Sequence, residues 1–328
     1  MNKLLTITIP AYNVEQFLTQ AVESVAKSQH SKEIEVLIIN DGSKDGTAKV
    51  ARELCKQYNC AKLINKENGG HGSTINCGLE QASGKYFRVL DGDDWLDTEA
   101  LDRFMDKLAK IDSDIVLSDY VEHYEKQGNN KPVALYANLT EDVELKLEEI
   151  DFIQYGPLLS TTTIKTETLR SAKFPLDEHC FYVDQEFNLA SYLSAQTLTY
   201  LPIMLYQYRL EREGQSMQIK SMIKNVRSHE KICARLLSEF DQRKAKLSPK
   251  QLEHARFKIV IPMCYMQYKI AIEYCRSRKE FLHFDEILKK YPEFYNSELV
   301  AGRTIKLHRM TNGLSVTMND KIKKLSHK

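Results

Sequence analysis

No C-x-x-C pair occurs among the seven cysteines, and seven is an odd number. That speaks against a disulfide framework and a zinc spacing, and points to a reducing compartment. No apolar run approaches the ~18–20 residues of a membrane span. The opening, Met1-Asn2-Lys3-Leu4-Leu5-Thr6-Ile7-Thr8-Ile9-Pro10, is too short and too β-branched for a signal peptide. The expectation is a cytoplasmic protein, or one held peripherally at the inner face of a membrane. Internal repeats and low-complexity segments are absent. Net charge is almost absent too, with 46 Lys+Arg against 45 Asp+Glu.

The charge that is there is unevenly spread. Residues 1–215 carry 22 basic and 34 acidic residues, whereas 216–328 carry 24 basic and 11 acidic. A reversal of this size marks two regions with different tasks. The basic region suits phosphates, an anionic membrane or the acidic half, and a solvated set of helix faces explains it equally well. With 328 residues, 42% of them hydrophobic, the chain can bury a large core.

The first third alternates strand and helix patterns. Leu4–Ile9, Ile34–Ile39, Ala61–Ile64, Tyr86–Leu90 and Asp114–Ser118 read as strands. Between them lie helical spacings at Phe17–Val25, Ala48–Cys55, Ser73–Gln81 and, after an Asp97 N-cap, Leu101–Leu108. Repeated β-α-β of this length predicts an α/β fold, a mainly parallel sheet flanked by helices. Ligands of such sheets sit at the carboxyl ends of strands, where Asp41, Asp91, Asp93 and Asp119 fall. Further on, Asn129–Pro132 reads as a turn and Leu198–Tyr208 as a strand bent at Pro202. Val226–Phe240 and Leu252–Cys275 read as long helices.

Five stretches carry candidate chemistry. Pro10-Ala11-Tyr12-Asn13 closes the first strand, where a ring and a turn can hold a planar base, as can an ordinary turn without a ligand. Asp41, after the second strand, can accept a hydrogen bond from a base or ribose, while Asp45 or Thr47 caps the next helix. Asn68-Gly69-Gly70-His71-Gly72-Ser73 lets a backbone pass close to an anion at a helix N-terminus, or is a plain flexible turn. It is not a Walker loop, since no Gly-Lys-Ser/Thr follows.

Asp91-Gly92-Asp93-Asp94 sets three carboxylates at a strand end, where mutual repulsion calls for a cation. Oxygen ligands of this kind suit Mg²⁺ or Mn²⁺. An EF-hand is excluded by Trp95 and by the missing glycine at the sixth position. Asp184, in Phe181-Tyr182-Val183-Asp184-Gln185-Glu186-Phe187, stands among aromatics. Apolar surroundings raise an acid's pKa, which suits a general base, and a helix start is the other reading.

In this order the motifs resemble glycosyltransferase family 2, of bacterial surface-glycan type, with its Rossmann-like, nucleotide-sugar-binding GT-A fold. The matching pieces are Ile9-Pro10-Ala11-Tyr12-Asn13, Ile39 through Thr47, Glu67-Asn68-Gly69-Gly70, Ala82 through Tyr86, Leu90 through Asp94, and Val183 through Phe187. The resemblance covers roughly residues 4–210. It implies a catalytic domain over 1–215, with nucleotide-sugar binding in 1–120 and the acceptor side in 120–215, followed by a basic helical region, 216–328. It implies that Asp41 binds the uracil of a UDP-sugar, with Pro10, Ala11 and Tyr12 lining the base pocket and Asn68, Gly69 and Gly70 beside the nucleotide. The resemblance also implies that Asp93 coordinates Mn²⁺ or Mg²⁺ and that Asp91 contacts ribose, the metal or its water. It implies that Asp184 is the catalytic base, although Val183 stands where the family usually has Glu. His71, Arg209 and Ser216 are further candidates, the last two in a loop near the diphosphate.

The activity implied is inverting, metal-dependent transfer of a hexosyl or N-acetylhexosaminyl group to a glycan, lipid-linked or glycoprotein acceptor. No nucleic-acid partner is expected. Two competing readings are a nucleotidyltransferase, which Pro10–Val14 disfavours by lacking glycine and base, and a non-catalytic nucleotide-sugar-binding partner of another transferase. Arg303, Lys306, His308, Arg309, Lys321, Lys323, Lys324 and Lys328 crowd the last stretch. They read as a peripheral membrane contact, a homo-oligomer contact or a frayed tail.

Overall fold

The structure, a computed structural model, describes residues 3–211 and 218–316. They form two compact units. The first runs to residue 213 and takes back the short segment Ser248–Gln251; the second holds the rest.

The first unit is built on ten strands: β1 (Leu5–Ala11), β2 (Ile34–Asp41), β3 (Ala61–Lys66), β4 (Tyr86–Val89), β5 (Trp95–Leu96), β6 (Ile115–Tyr124), β7 (Asn129–Val133), β8 (Glu144–Lys146), β9 (Thr162–Lys165) and β10 (Thr197–Leu210). Their order is β3-β2-β1-β4-β9-β6-β10-β5, with β7 on β6 and β8 on β10. Strands β3, β2, β1, β4, β6 and β10 share one direction, and β5, β7, β8 and β9 oppose it. The α/β, mainly parallel architecture read from the sequence is therefore present. Every residue of β1 and β2 is buried, as strands covered on both faces must be.

Six helices accompany this sheet: α1 (Leu18–Ala26), α2 (Thr47–Gln57), α3 (His71–Gln81), α4 (Thr98–Leu108), α5 (Thr166–Ser171) and α6 (Asp184–Ser194). Leu18, Val22 and Val25 of α1 and Leu101, Phe104 and Leu108 of α4 join Leu5, Ile7 and Ile9 in one core. Each such buried side chain contributes about 1.5–3 kcal/mol. Asp97 caps α4 as expected, its carboxylate accepting from Ala100 N at 2.7 Å.

Three expectations need correction. Asn129–Val133 is not a turn but strand β7, and the turn lies just before it, where Gly128 has φ +64°. Pro132 is tolerated because β7 pairs with β6 alone, on an edge. Asp119 is not at a strand end. It lies within β6, buried, accepting from Tyr200 Oη at 2.6 Å and Leu135 N at 3.2 Å. The stretch Leu252–Cys275 is helical but not uniform: α9 (Pro249–Ala255) and α10 (Ile261–Lys269) are each followed by a π-helical turn. The bend expected at Pro202 is present as a shift of register against β6 between Tyr200 and Met204.

The second unit is helical. It contains α7 (Ile219–Lys224), α8 (Val226–Arg243), part of α9, α10, α11 (Arg278–Leu288), α12 (Pro292–Tyr295) and α13 (Arg303–Met310). Ile232, Cys233, Leu236, Leu237 and Phe240 form the buried face of α8. No helix among the described residues is long and apolar enough to cross a membrane.

Candidate active site

The carboxyl ends of β1, β2, β3 and β4 and the late part of β10 lie at one edge of the sheet, because those strands are parallel. Two clusters of side chains form there.

The first is centred on Asp41, at the end of β2 and only 2% exposed. Its carboxylate accepts from Lys66 Nζ (3.0 Å), Asn68 Nδ2 (3.1 Å), Gly69 N (2.9 Å) and Gly70 N (2.8 Å). Each oxygen thus takes two donors, which folds residues 66–70 around the acid. Gly70 has φ +84°, a conformation glycine adopts without strain, and is the N-cap of α3. The helix therefore starts at His71, two residues earlier than its spacing predicted. Lys66 also donates to Ser73 Oγ at 2.9 Å. It was missed in the sequence, where a lysine at a strand end carries no signal. Beside this cluster Pro10 and Ala11 are buried, and the Tyr12 ring is 47% exposed.

The second cluster is the acid turn after β4. Asp94 N donates to Asp91 O at 3.0 Å, which closes the turn. Gly92 is required there, since a Cβ would stand 2.7 Å from Pro10 O. Asp91 Oδ1 accepts from His71 Nε2 at 2.9 Å. Asp94, 2% exposed, accepts from Tyr206 Oη at 2.6 Å and Arg209 N at 2.8 Å. Tyr206 Oη in turn accepts from Asp91 N at 3.3 Å. Tyr206 and Asp94 are thus the brace of the turn, and Asp94, which had no role from the sequence, is occupied in it.

Asp184 begins α6 and accepts from Gln185 Nε2 at 2.8 Å. Just before it the backbone of His179 and of Tyr182 is left-handed, at φ +50° and +68°. His179 N donates to Gly69 O at 2.6 Å, so this segment is tied to the glycine stretch.

These groups share one field. Burial pushes Asp184 above the usual carboxylate range, with Gln185 and His71 opposing and Asp91 adding to the rise. Burial pulls the His71 imidazole down, but Asp91, Asp184 and Asp93 outweigh it and the net shift is upward. Burial, then Asp93 and Asp91, holds Asp94 well above the ordinary range. Burial and the carboxylates of Asp94, Asp91, Asp93 and Asp184 raise the Tyr208 phenol. Tyr208, also missed in the sequence, therefore borders the same cluster.

Arg209, expected near the diphosphate, makes three side-chain hydrogen bonds within the protein. Nε donates to Asp93 O at 2.8 Å, one amino group pairs with Glu125, and the other donates to Gln20 Oε1 at 2.7 Å. The guanidinium also stacks 4.9 Å from the rings of Phe17 and Trp95. The Nε bond braces the backbone of Asp93. Ser216 lies outside the described residues.

The donor set fits a hard divalent cation only in part by itself. Among the described residues no three His, Cys, Asp or Glu side chains are arranged to enclose an ion. Carboxylates this close, with oxygen as their donor atom, suit Mn²⁺ or Mg²⁺ when a diphosphate completes the shell.

The family model described as glycosyl transferase family 2 matches residues 6–179, more than half the chain. Glycosyltransferase GlyA of Streptococcus pneumoniae is 28% identical over 224 residues, which cover 63% of this chain but 31% of GlyA. The chain therefore matches less than a third of that relative. A crystal structure of Staphylococcus aureus TarS, residues 1–349, in complex with UDP-GlcNAc superimposes with a TM-score of 0.70 at 20% identity, covering 98% of this chain and 92% of that one. The mannosyltransferase PcManGT of Pyrobaculum calidifontis, in complex with GDP-Man and Mn²⁺, gives a TM-score of 0.51 at 14% identity, covering 100% and 88%. At these identities the structures speak for the fold, and the family match speaks for descent. The chain belongs to glycosyl transferase family 2.

Proposed function

We propose that this protein is an inverting glycosyltransferase. It moves a hexosyl or N-acetylhexosaminyl group from a nucleoside diphosphate donor, a UDP-sugar, to an acceptor hydroxyl on a surface glycan, lipid-linked oligosaccharide or glycoprotein. The observation that carries this reading is the single electrostatic cluster of Asp91, Asp93, His71 and Asp184, drawn from three segments far apart in sequence. The UDP-GlcNAc bound to TarS, a protein of the same fold, supports the choice of donor.

The nucleotide side is 1–120 and the acceptor side 120–215, followed by a basic helical region, 216–328. Tyr12 stacks on the base, Pro10 and Ala11 floor its pocket, and Asp41 acts on the uracil by shaping Asn68, Gly69 and Gly70 around it. Asp91 meets the ribose. Asp93, with Asp91, would hold Mn²⁺ or Mg²⁺, as the Mn²⁺ in the PcManGT complex supports. Such an ion, when bound, stabilises negative charge on the departing diphosphate.

Asp184 Oδ takes the proton of the acceptor hydroxyl. The acceptor oxygen forms its bond to the anomeric carbon on the face opposite the diphosphate. The bond from that carbon to the diphosphate oxygen breaks, and the nucleoside diphosphate carries away the electron pair. The transition state has oxocarbenium character, as in glycoside hydrolysis. The raised pKa of Asp184 makes it a better base than a free aspartate.

The test is release of UDP from UDP-GlcNAc with Mn²⁺, beside GDP-mannose as a control donor. Asp184→Asn is expected to lower kcat by about 10²–10⁴ with little change in donor affinity. Unchanged turnover by a folded Asp184→Asn variant overturns the base assignment.

A further inference from the structure

We propose that the outward face of α13 is a docking surface for an anionic lipid bilayer. The inference concerns the second unit alone and does not rest on the sugar chemistry.

Helix α13 has two faces. On the inner one Ile305 and His308 are buried. Arg309 is also turned to use inside the unit. It donates to Asp285 Oδ1 at 2.7 Å and stacks 3.6 Å from the Tyr295 ring, while His308 Nδ1 shares a 2.6 Å hydrogen bond with Ser315 Oγ. Two members of the basic cluster seen in the sequence are thus internal. Lys321, Lys323, Lys324 and Lys328 lie outside the described residues.

The other face is made by Arg303, Lys306, Leu307 and Met310, spaced three and four apart and therefore on one side of a helix. Leu307 is 52% exposed and Met310 84%, and Leu314, further along, is 55% exposed. Large apolar side chains beside cations on one exposed face are the pattern of a helix lying in the headgroup plane. The apolar side chains enter the acyl boundary while the cations meet lipid phosphates. Glu298 is the acid facing this surface, 3.5 Å from Lys306, and both side chains are exposed. Helix α13 carries no acid of its own against Arg303 and Lys306, so this face is complementary in charge to an anionic surface.

A second copy of the chain is the competing occupant. A stable interface needs about 800 Å² from each partner, which three side chains of this size do not supply. A nucleic acid would be met by the cations but gives Leu307 and Met310 nothing to enter.

The full chain is mixed with vesicles of phosphatidylcholine alone and of phosphatidylcholine with phosphatidylglycerol, then sedimented. Bound protein is expected to rise at least about tenfold with the anionic lipid. Leu307→Glu with Met310→Glu is expected to reverse most of that rise, and Arg303→Glu with Lys306→Glu to do the same, each with an unchanged thermal midpoint. Three results overturn the proposal. They are no preference for the anionic vesicles, full binding by the Leu307→Glu/Met310→Glu variant (which leaves the lysine tail as the ligand), and a wild-type oligomer by light scattering that this variant dissociates.

Discussion

Asp93 is asked to hold an ion together with oxygens of the substrate, so donor binding should be conditional on that ion. UDP-GlcNAc with Mn²⁺ is expected to raise the thermal unfolding midpoint of the wild type. Asp93→Ala should abolish the Mn²⁺-dependent part of that rise, and EDTA should do the same to the wild type. A rise that survives both counts against a metal at this turn. Asp184 makes a separate statement about pH. Its pKa is raised by burial, so the carboxylate, the form that takes a proton, is lost at a higher pH than in a free aspartate. The rate should therefore decline on acidification with a limb above the ordinary value of ~3.9, measured as kcat/KM against pH. An acid limb at or below that value would show a base with no burial effect.

At the scale of elements, β10 is hooked to the turn after β4 by the Tyr206 hydroxyl and by Arg209 N and Nε. Tyr206→Phe keeps the ring but takes one donor from the buried carboxylate of Asp94 and the acceptor from Asp91 N. The expected cost is about 1–3 kcal/mol of stability by urea unfolding, with a higher KM for donor as the turn loosens. A variant with wild-type stability and KM would mean that Arg209 N alone fixes Asp94. The same elements show what a sequence can and cannot disclose. Strands β1, β2 and β4 were visible because a doubly covered strand is a continuous apolar run. Strands β5, β7 and β9 were not, since two to five residues acquire their pairing from neighbours and have no period of their own. The acids Asp91, Asp93 and Asp184 stood out by their chemistry. Tyr206, Tyr208 and Lys66 did not, because nothing in a tyrosine on a strand announces the carboxylate that the fold sets beside it.

At the scale of the molecule, the second unit carries a pH-sensitive term of its own. Buried His229 shares a 2.8 Å hydrogen bond with Gln267 Oε1, and burial lowers its pKa to about 4. An unfolded histidine titrates near ~6.5, so between these values the unfolded chain binds more protons. Stability contributed by the neutral imidazole is complete above pH ~6.5 and is lost as pH falls toward 4. The His229→Gln variant should lose less stability across that window than the wild type, by denaturant titration at each pH. Equal slopes would assign the acid sensitivity to other groups.

Strand β9 bears on how the chain is made. It is four residues long, and among the described residues it alone joins the β3-β2-β1-β4 half of the sheet to the β6-β10-β5 half, by three paired positions on each side. A chain emerging from the ribosome has its first four strands by Val89, yet the flank of β4 has no neighbour until Lys165 has been added. At the usual pace of synthesis that is roughly 4–15 s with an open strand edge carrying unsatisfied backbone groups. Assembly is therefore set in two stages, and the interval between them is when a newborn chain of this kind is most exposed to mispairing with another.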